Sequence, residues 1–297
     1  MLVSMKEILD RASKENYGVV APNVCSELDA RAVIEIAEEL HAPIILDVAH
    51  GATPDIKFLG SYLTILADKS NVPVAINLDH GATYEHAVDA IAAGFTSIMV
   101  DRSSLPYEDN VAQVKELVKV AHATGVSVEA ELGHVGQGDN YAVDGKQALT
   151  DPQEAKKYIE ETGIDMLAVA VGTAHGEYVG TPHIDFERLV AIKEAVGQDF
   201  PLVLHGGSGS GDENLAKACT LGINKVNIYT DLAKAAVKKV KEMPRAGMIW
   251  PAIISGIKEQ IGYYIELFGG KGKAWTPVDK GISGKVVDRS EERRVGK

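Results

Sequence analysis

Five of the nine histidines in this chain stand at or just beyond the ends of short apolar runs. They are His50, His80, His134, His175 and His205. Three of them stand in the frames "LDHG", "TAHG" and "VLHGG", where the glycine after the histidine lets the backbone turn at once and leaves the imidazole accessible. Three imidazoles from separate segments are a ligand set of a catalytic zinc ion that keeps an open position. The pattern therefore predicts a zinc site at His80, His175 and His205.

Asp79 adjoins the first of these histidines. Successive side chains on a strand point to opposite faces, so Asp79 reaches the same site as His80 only if the chain bends at Gly81. In that position a carboxylate either orients a ligand imidazole or acts as a general acid or base. Both roles remain open from the sequence alone.

Three further carboxylates are expected near the site. Glu129 and Glu131 in "VEAEL" are two residues apart and share a strand face, and Asp101 ends the run "SIMVD". Inward-facing carboxylates are costly unless they meet a cation or are protonated. Asp101 and Glu131 therefore predict a second metal site or a proton relay, and an ion pair with Arg102 or another basic group is the structural alternative.

Two glycine-rich or polar segments open helices late in the chain. "HGGSGSG" at 205–211 exposes backbone N–H groups, and "NIYTD" at 227–231 ends the last predicted strand. A helix N-terminus favours an anion, and barrels commonly bind phosphate at the loops after strands seven and eight. The pair predicts a phosphate site.

The elements that must position these residues are eight short runs rich in Val, Ile and Leu, which alternate with segments of helical spacing. Runs of this kind are typical of parallel strands buried on both faces. Eight strand–helix units fit an α/β fold with a single (β/α)8 TIM barrel, whose catalytic groups lie at the carboxyl ends of the strands. Extra N- and C-terminal helices are expected. We predict one catalytic domain over residues 1–285 and a disordered tail at 286–297.

Bulk composition narrows the function classes. The chain has 297 residues, is 45% hydrophobic and carries a formal net charge of −12. A negative charge of this size does not attract nucleic acid or an anionic membrane. Cys25 and Cys219 form neither a disulfide framework nor a metal motif, and no apolar run is long enough for a signal peptide or a membrane span. A cytoplasmic location is expected.

The most specific motifs are "NLDHG", "VEAELG", "AVAVGTAHGEY", "PLVLHGGSG" and "INKVNIYTD". With these motifs the chain resembles the class II, zinc-dependent aldolases that cleave ketose bisphosphates, the fructose- and tagatose-bisphosphate group. The resemblance runs from "SMKEILDRA" to "LFGGKGKAW". It implies a lyase that cleaves a ketose 1,6-bisphosphate to dihydroxyacetone phosphate and glyceraldehyde 3-phosphate. It also implies Zn²⁺, a monovalent cation such as Na⁺ or K⁺ beside the phosphate, and a homodimer or homotetramer.

The resemblance assigns roles at matching positions. His80, His175 and His205 correspond to the zinc ligands, and Asp79 to the proton donor for the departing aldehyde oxygen. Arg245 corresponds to an arginine that reaches the second phosphate from a neighbouring subunit. The substrate-binding positions are Asn23, Gly176, Gly206, Gly207, Ser208, Asn227, Ile228, Tyr229, Thr230 and Arg245.

The chain departs from the family pattern at the loop "HVGQGDN". Relatives carry a glutamate there for proton transfer at the enediolate, and Asp139 occupies the corresponding place with one methylene fewer. Asp139, His134 or Glu131 performs this transfer, or the substrate differs. Asp139 is our first candidate.

The pocket departs from the pattern as well. Ala49 replaces a serine that contacts phosphate, with His50 as a candidate substitute, and Tyr229 replaces a smaller or acidic residue. These changes leave open an aldolase for another ketose phosphate, of the deoxygluconate or uronate type. A non-catalytic sugar-phosphate sensor and a zinc hydrolase are the remaining alternatives, although neither accounts for both the histidine set and Asp79.

Overall fold

The computed structural model describes residues 1–136, 148–178, 182–276 and 281–282. Eight strands form one sheet in which all adjacent pairs are parallel. The strands β1 to β8 are Val19–Pro22, Ile44–Ala49, Val74–Gly81, Ser97–Val100, Ser127–Leu132, Met166–Val169, Leu202–Leu204 and Ile223–Ile228.

Helices alternate with these strands. The helices α1 to α10 are Met5–Glu15, Glu27–Glu39, Ile56–Asp68, Tyr84–Ala92, Tyr107–Ala123, Pro152–Thr162, Phe186–Val196, Asp212–Thr220, Thr230–Glu242 and Ile249–Leu267. Their ends carry the expected local signals. The Ser4 hydroxyl accepts a hydrogen bond from the Glu7 N–H at 3.2 Å at the start of α1. Asp151 caps α6, which begins with Pro152 and ends at Gly163 in the left-handed conformation, as both residue types favour.

The sheet closes on itself between its first two strands. The strand order runs β1-β8-β7-β6-β5-β4-β3-β2, and a parallel bridge joins Asn23 to Asp47 just beyond β1. The Val24 N–H also donates to the Asp47 carbonyl at 2.8 Å. The predicted (β/α)8 barrel is therefore confirmed, with α1 as its extra N-terminal helix and α10 as its extra C-terminal helix.

The apolar core has two layers, which is why the strands read as almost continuous apolar runs. The larger layer fills the space between the sheet and the surrounding helices. The smaller layer lies inside the barrel, where Met5, Ile8 and Leu9 of α1 pack on inward-facing strand residues such as Met99 and Met166. Helix α1 thus closes the amino end of the barrel and leaves the carboxyl end for polar groups. No helix in the described parts of the chain is long and apolar enough to cross a membrane.

Candidate active site

Three imidazoles meet at the carboxyl end of the barrel. His80 Nε2 lies 3.1 Å from His175 Nε2, which lies 3.5 Å from His205 Nδ1. One nitrogen from each ring lies within 4.8 Å of the others. Two nitrogens bound to the same tetrahedral zinc ion at about 2.0–2.1 Å are about 3.3 Å apart. The measured spacings therefore fit the shared coordination of one zinc ion.

Backbone conformation brings Asp79 and His80 to the same site. His80 has φ 49°, in the left-handed region, and the pairing of β3 with β4 shifts register between Leu78 and Gly81. Strand alternation therefore breaks at His80. Asp79 Oδ1 lies 3.8 Å from His80 Nε2. The bend that the sequence required at Gly81 occurs one residue earlier, at the histidine itself.

In two of the three histidines, a carboxylate contacts the ring nitrogen that points away from the shared centre. His80 Nδ1 lies 2.8 Å from Asp101 Oδ2, and His205 Nε2 lies 2.8 Å from Glu129 Oε1. Partners of this kind fix the tautomer and orientation of metal-binding imidazoles. The pairs therefore direct His80 Nε2 and His205 Nδ1 toward the shared centre.

The pKa values of His175 and His80 are shifted in opposite directions. Burial lowers the pKa of His175 to about 3, and the nearby His205 and His80 rings lower it in the same direction. Burial also opposes protonation of His80, but Asp79 and Asp101 raise its pKa to about 9. His175 is therefore neutral and offers a free lone pair, as a metal ligand must.

Asp79 is nearly enclosed, with 6% of its surface exposed. Asn23 Nδ2 donates to its Oδ2 at 2.7 Å, and Asn227 Nδ2 donates to its Oδ1 at 3.2 Å. Burial opposes its ionisation, but the positive fields of His80 and His205 lower its pKa to about 2. Asp79 is therefore a carboxylate at neutral pH and can accept a proton.

A buried layer of charges lies inside the barrel beneath this site. Lys225 Nζ lies 2.8 Å from Glu129 Oε2 and 3.3 Å from Asp47 Oδ2, and all three side chains are fully buried. Glu129 in turn bonds His205. The sequence reasoning missed Lys225, although Lys225 precedes Asn227 by two residues and therefore shares its inward strand face. Lys225 is therefore shared by the carboxyl groups of Glu129 and Asp47, and its contact with Glu129 is the shorter.

Asp47, the second carboxyl of this layer, is expected to make the stability of the fold depend on pH. Burial raises the pKa of Asp47 to about 8 despite Lys225, whereas an unfolded aspartate titrates near ~3.9. The stabilisation from the retained proton is full below about pH 4 and is lost as pH rises through about 8. Denaturant titrations should therefore show Asp47→Asn gaining stability over the wild type between pH 5 and pH 8. Asp109→Asn, at an exposed position on α5, should show no such trend. A constant difference across this range would contradict the prediction.

The second predicted cluster also forms. His80, Asp101 and Glu131 each bring a ligand atom within 4.8 Å of the others. Asp101 does not pair with Arg102 through its carboxylate, because Oδ1 accepts from the Ser103 N–H at 3.0 Å and the Ser103 hydroxyl at 2.7 Å. The pairing with Arg102 is therefore wrong for this carboxylate, whereas the pairing with another basic group is met by His80, whose Nδ1 lies 2.8 Å from Asp101 Oδ2.

Glu131 faces the site from β5. Its Oε1 accepts from the Val135 N–H at 2.9 Å and lies 3.7 Å from His134 Nδ1. Burial raises the pKa of Glu131, so this carboxyl holds a proton more readily than Asp79 does. Asp139, the first candidate for the same proton transfer, lies outside the described residues.

A cavity of ≈ 350 Å³ opens beside the histidines. Most predicted substrate-binding residues line it, whereas Ile228 is buried in β8 and Arg245 lies at an exposed position before α10, so neither lines it. His50 stands apart and stacks on His86 at 3.5 Å between ring centroids. The lining residues are Asn23, Val24, Cys25, Ala49, Ala52, Asp79, His175, Gly176, His205, Gly206, Gly207, Ser208, Asn227, Tyr229 and Thr230.

The rim of this cavity has the features of an anion site. Ser208 Oγ accepts from the N–H groups of Tyr229 and Asp231, both at 3.2 Å, and so joins the loop after β7 to the start of α9. Helix α9 begins at Thr230, and its N-terminal dipole faces this loop. Gly176 completes the rim with φ 84°, and no atom lies within 4 Å of the position that a Cβ would take. The cavity is therefore open at Gly176, beside the loop after β7 and the start of α9.

Sequence reasoning did not single out Val24 and Cys25 as cavity residues. Both line the cavity and follow Asn23 directly in "APNVC", at the carboxyl end of β1. Their position in the sequence could have identified them, because residues just beyond a barrel strand lie near the mouth of the barrel. Burial and Asp29 raise the pKa of Cys25. Cys25 therefore contributes a neutral thiol to an otherwise apolar wall.

Known proteins resemble this chain over almost its full length. The family model described as "Fructose-bisphosphate aldolase class-II" matches residues 3–273. A fructose-bisphosphate aldolase from Thermus caldophilus is 41% identical, over 92% of this chain and 100% of its own length. A probable fructose-bisphosphate aldolase from Bacillus subtilis is 40% identical, over 81% of this chain and 86% of its own. The crystal structure of the YdjI aldolase from Escherichia coli K12 superposes with a TM-score of 0.83 at 34% identity, covering 92% of this chain and 100% of that one. The chain therefore belongs to the class II fructose-bisphosphate aldolase family.

Proposed function

We propose that this protein is a zinc-dependent lyase that reversibly cleaves a ketose 1,6-bisphosphate, of the fructose or tagatose type, to dihydroxyacetone phosphate and glyceraldehyde 3-phosphate. The observation that carries this proposal is the convergence of three imidazole nitrogens beside Asp79 and a glycine-lined cavity. Family membership and the names of the relatives support the same reaction class.

His80, His175 and His205 would hold the zinc ion, since their spacing fits shared coordination. A bound zinc ion acts as a Lewis acid on the oxygens of the three-carbon half and stabilises the negative charge that develops there. Asp101 and Glu129 keep two of the rings in position through their 2.8 Å contacts. No lysine Schiff base is then required.

Asp79 is proposed as the group that moves the proton at the C4 oxygen. As a carboxylate it takes the proton of the C4 hydroxyl during cleavage and returns it to the aldehyde oxygen during condensation. Asn23 and Asn227 hold both carboxylate oxygens, so the proton acceptor is fixed in direction before the substrate arrives.

The proton at the enediolate carbon needs a second group. Asp139, Glu131 and His134 remain the candidates, with Asp139 first. Glu131 has the raised pKa that a proton donor needs. Asp101 and Glu131 are further proposed as a possible second metal site, because both lie within reach of His80.

The phosphate of the three-carbon half is proposed to bind at Gly176, the loop 206–208 and the start of α9. Gly176→Ala tests this placement, because its methyl group would enter open space in the cavity. We expect KM for the substrate to rise about tenfold, the effect of roughly 1.4 kcal/mol, with a smaller change in kcat. Gly125→Ala is the matched control, since Gly125 has φ 75° and equal open space at the other end of the barrel. Equal kinetics for the two variants would contradict the phosphate placement.

A second candidate substrate is favoured by the apolar wall of the cavity. Val24, Cys25, Ala49 and Ala52 line it, and none of the described lining residues is a lysine or arginine. The second candidate is therefore a ketose phosphate of the deoxygluconate or uronate type, which keeps the dihydroxyacetone phosphate half and changes the aldehyde half. In the bisphosphate proposal, Arg245 of a neighbouring copy in a homodimer or homotetramer supplies the missing charge.

A panel of ketose phosphates, assayed with purified protein and added zinc, tests the function. The highest kcat/KM for fructose or tagatose 1,6-bisphosphate would support the proposed reaction and decide the C4 configuration. A higher value for a ketose monophosphate would favour the second candidate, and no cleavage of any ketose phosphate would contradict both. Arg245→Ala should raise KM far more for a bisphosphate than for a monophosphate.

The remaining assignments are proposals of the same kind. A monovalent cation beside the phosphate, a cytoplasmic location and one catalytic domain over residues 1–285 follow from the resemblance and from composition. The proposed tail at 286–297 lies outside the described residues.

A further inference from the structure

Arg102 is a buried cation without a carboxylate partner in the described part of the chain. Its exposed fraction is 5%. Its Nη1 donates to the Gly81 carbonyl at 2.9 Å and to the Asp101 carbonyl at 2.7 Å, and its Nε donates to Gln113 Oε1 at 2.7 Å. Burying a guanidinium is costly unless its donors are satisfied. Here two backbone carbonyls accept from Nη1 and one side-chain amide accepts from Nε, so the guanidinium binds mainly to the backbone.

The two carbonyls belong to the segments that carry one metal-binding ring and its partner. Gly81 follows His80 directly at the end of β3, and Asp101 follows the end of β4. One nitrogen of Arg102 therefore joins the two strand ends at the place where their register shifts. The same two ends supply the 2.8 Å contact between His80 Nδ1 and Asp101 Oδ2.

His80 needs such a constraint. Its φ of 49° is a conformation that residues other than glycine occupy at a cost, and that persists only when the surroundings hold it. If the Gly81 peptide relaxed toward ordinary strand geometry, the alternation of side chains would turn the His80 ring away from Asp79. The bond from Arg102 to the Gly81 carbonyl opposes that relaxation.

We propose that Arg102 is a positioning residue for the metal site. Its guanidinium clamps the ends of β3 and β4, keeps His80 in the left-handed conformation and keeps Asp101 behind the ring. This inference rests on the proposed zinc site at His80, His175 and His205. Arg102 touches neither the substrate cavity nor the histidine rings, so its effect reaches zinc only through the backbone.

Zinc affinity of the purified protein, measured by competition with a chromophoric chelator, tests this role. Arg102→Met keeps an unbranched apolar stem and removes the hydrogen-bond donors. Because removing the partners that orient a ligand histidine costs about 10–100-fold in metal affinity, we expect the zinc dissociation constant to rise about tenfold. The visible spectrum of the Co²⁺-substituted protein should change as well, since it reports the arrangement of the ligands and not the stability of the fold.

Two further variants keep the test decisive. Gln113→Leu removes the partner of Nε from the exposed face of α5 and should weaken zinc binding in the same direction, by less. Arg188→Met is the matched control, because Arg188 also donates to a backbone carbonyl, that of Thr150 at 3.0 Å, but lies beside no histidine ligand. Its zinc affinity and Co²⁺ spectrum should equal those of the wild type.

Failure of the inference and failure of the zinc site give different results. Tight zinc binding by the wild type together with unchanged affinity and spectrum in Arg102→Met would overturn the role of Arg102 alone. Equal losses in Arg102→Met and Arg188→Met would also overturn it. If Arg102→Met does not fold, unchanged binding by Gln113→Leu would overturn the role. A wild type that binds no zinc would overturn the zinc site and this role together.

Discussion

Replacing His175 by glutamine is expected to remove both the bound metal and the reaction. His175 Nε2 lies 3.1 Å from His80 Nε2 and 3.5 Å from His205 Nδ1, and its loss leaves only two imidazoles. Lewis-acid stabilisation of developing charge contributes several kcal/mol, and about 4 kcal/mol corresponds to ~10³ in rate. We therefore expect kcat to fall at least ~10³-fold and zinc content, measured by elemental analysis, to fall from one ion per chain toward zero.

His122→Gln serves as the control for this experiment. His122 lies on α5, and its Nε2 is 2.8 Å from Asp165 Oδ2, away from the cavity. This variant should retain wild-type zinc content and activity. Full activity with an unchanged zinc content in His175→Gln would contradict the proposed ligand set.

Replacing Asp79 by asparagine is expected to stop cleavage and leave the metal in place. The substitution keeps the shape of the side chain and removes the proton acceptor, and loss of a positioned acid or base costs about 10²–10⁴ in rate. We therefore expect kcat for cleavage to fall within this range, while zinc content remains at the wild-type level.

A partial reaction separates the two variants. Exchange of the tritium label of dihydroxyacetone phosphate with water requires the metal site and the group that protonates carbon, but no proton transfer at the C4 oxygen. Asp79→Asn should therefore retain exchange, and His175→Gln should lose it. If Asp79→Asn lost exchange and cleavage equally, Asp79 would have to act by holding His80, which is the alternative that the sequence left open.

The barrel and its histidine set could be predicted because their signals are local. Each strand reads as an apolar run, since both of its faces are covered, and each of the three histidines stands where a strand gives way to glycine. A barrel brings all carboxyl strand ends to one rim. Once the runs were counted, the meeting of His80, His175 and His205 followed without any distance being known.

Contacts between distant strands could not be predicted in the same way. Lys225 lies in the apolar run of β8, and the sequence does not show that Glu129 and Asp47 face it across the barrel. The sequence offers Arg102 only as an alternative partner for the Asp101 carboxylate, because charge is the only available criterion. In the structure the Arg102 guanidinium donates to main-chain carbonyls instead. The positions of backbone oxygens cannot be inferred from residue types.

Backbone strain at His80 is a third feature that residue types alone do not reveal. Alternation along β3 placed Asp79 and His80 on opposite faces, and the left-handed φ of His80 overrides that rule. Residues other than glycine rarely adopt this conformation. The pairing of β3 with β4 shifts register at the same place, and a sequence does not show such a shift.

The three histidines of the proposed zinc site lie on β3, after β6 and after β7, which has a consequence for the order in which the site is synthesised. A ribosome releases His80 long before His205, so no complete site exists until most of the barrel has been synthesised. The apolar layers that close the barrel need no ion, in contrast to small domains that remain unfolded without one. On the proposed zinc dependence, a cell short of zinc would accumulate finished, inactive chains, and restoring zinc would activate them without new protein synthesis.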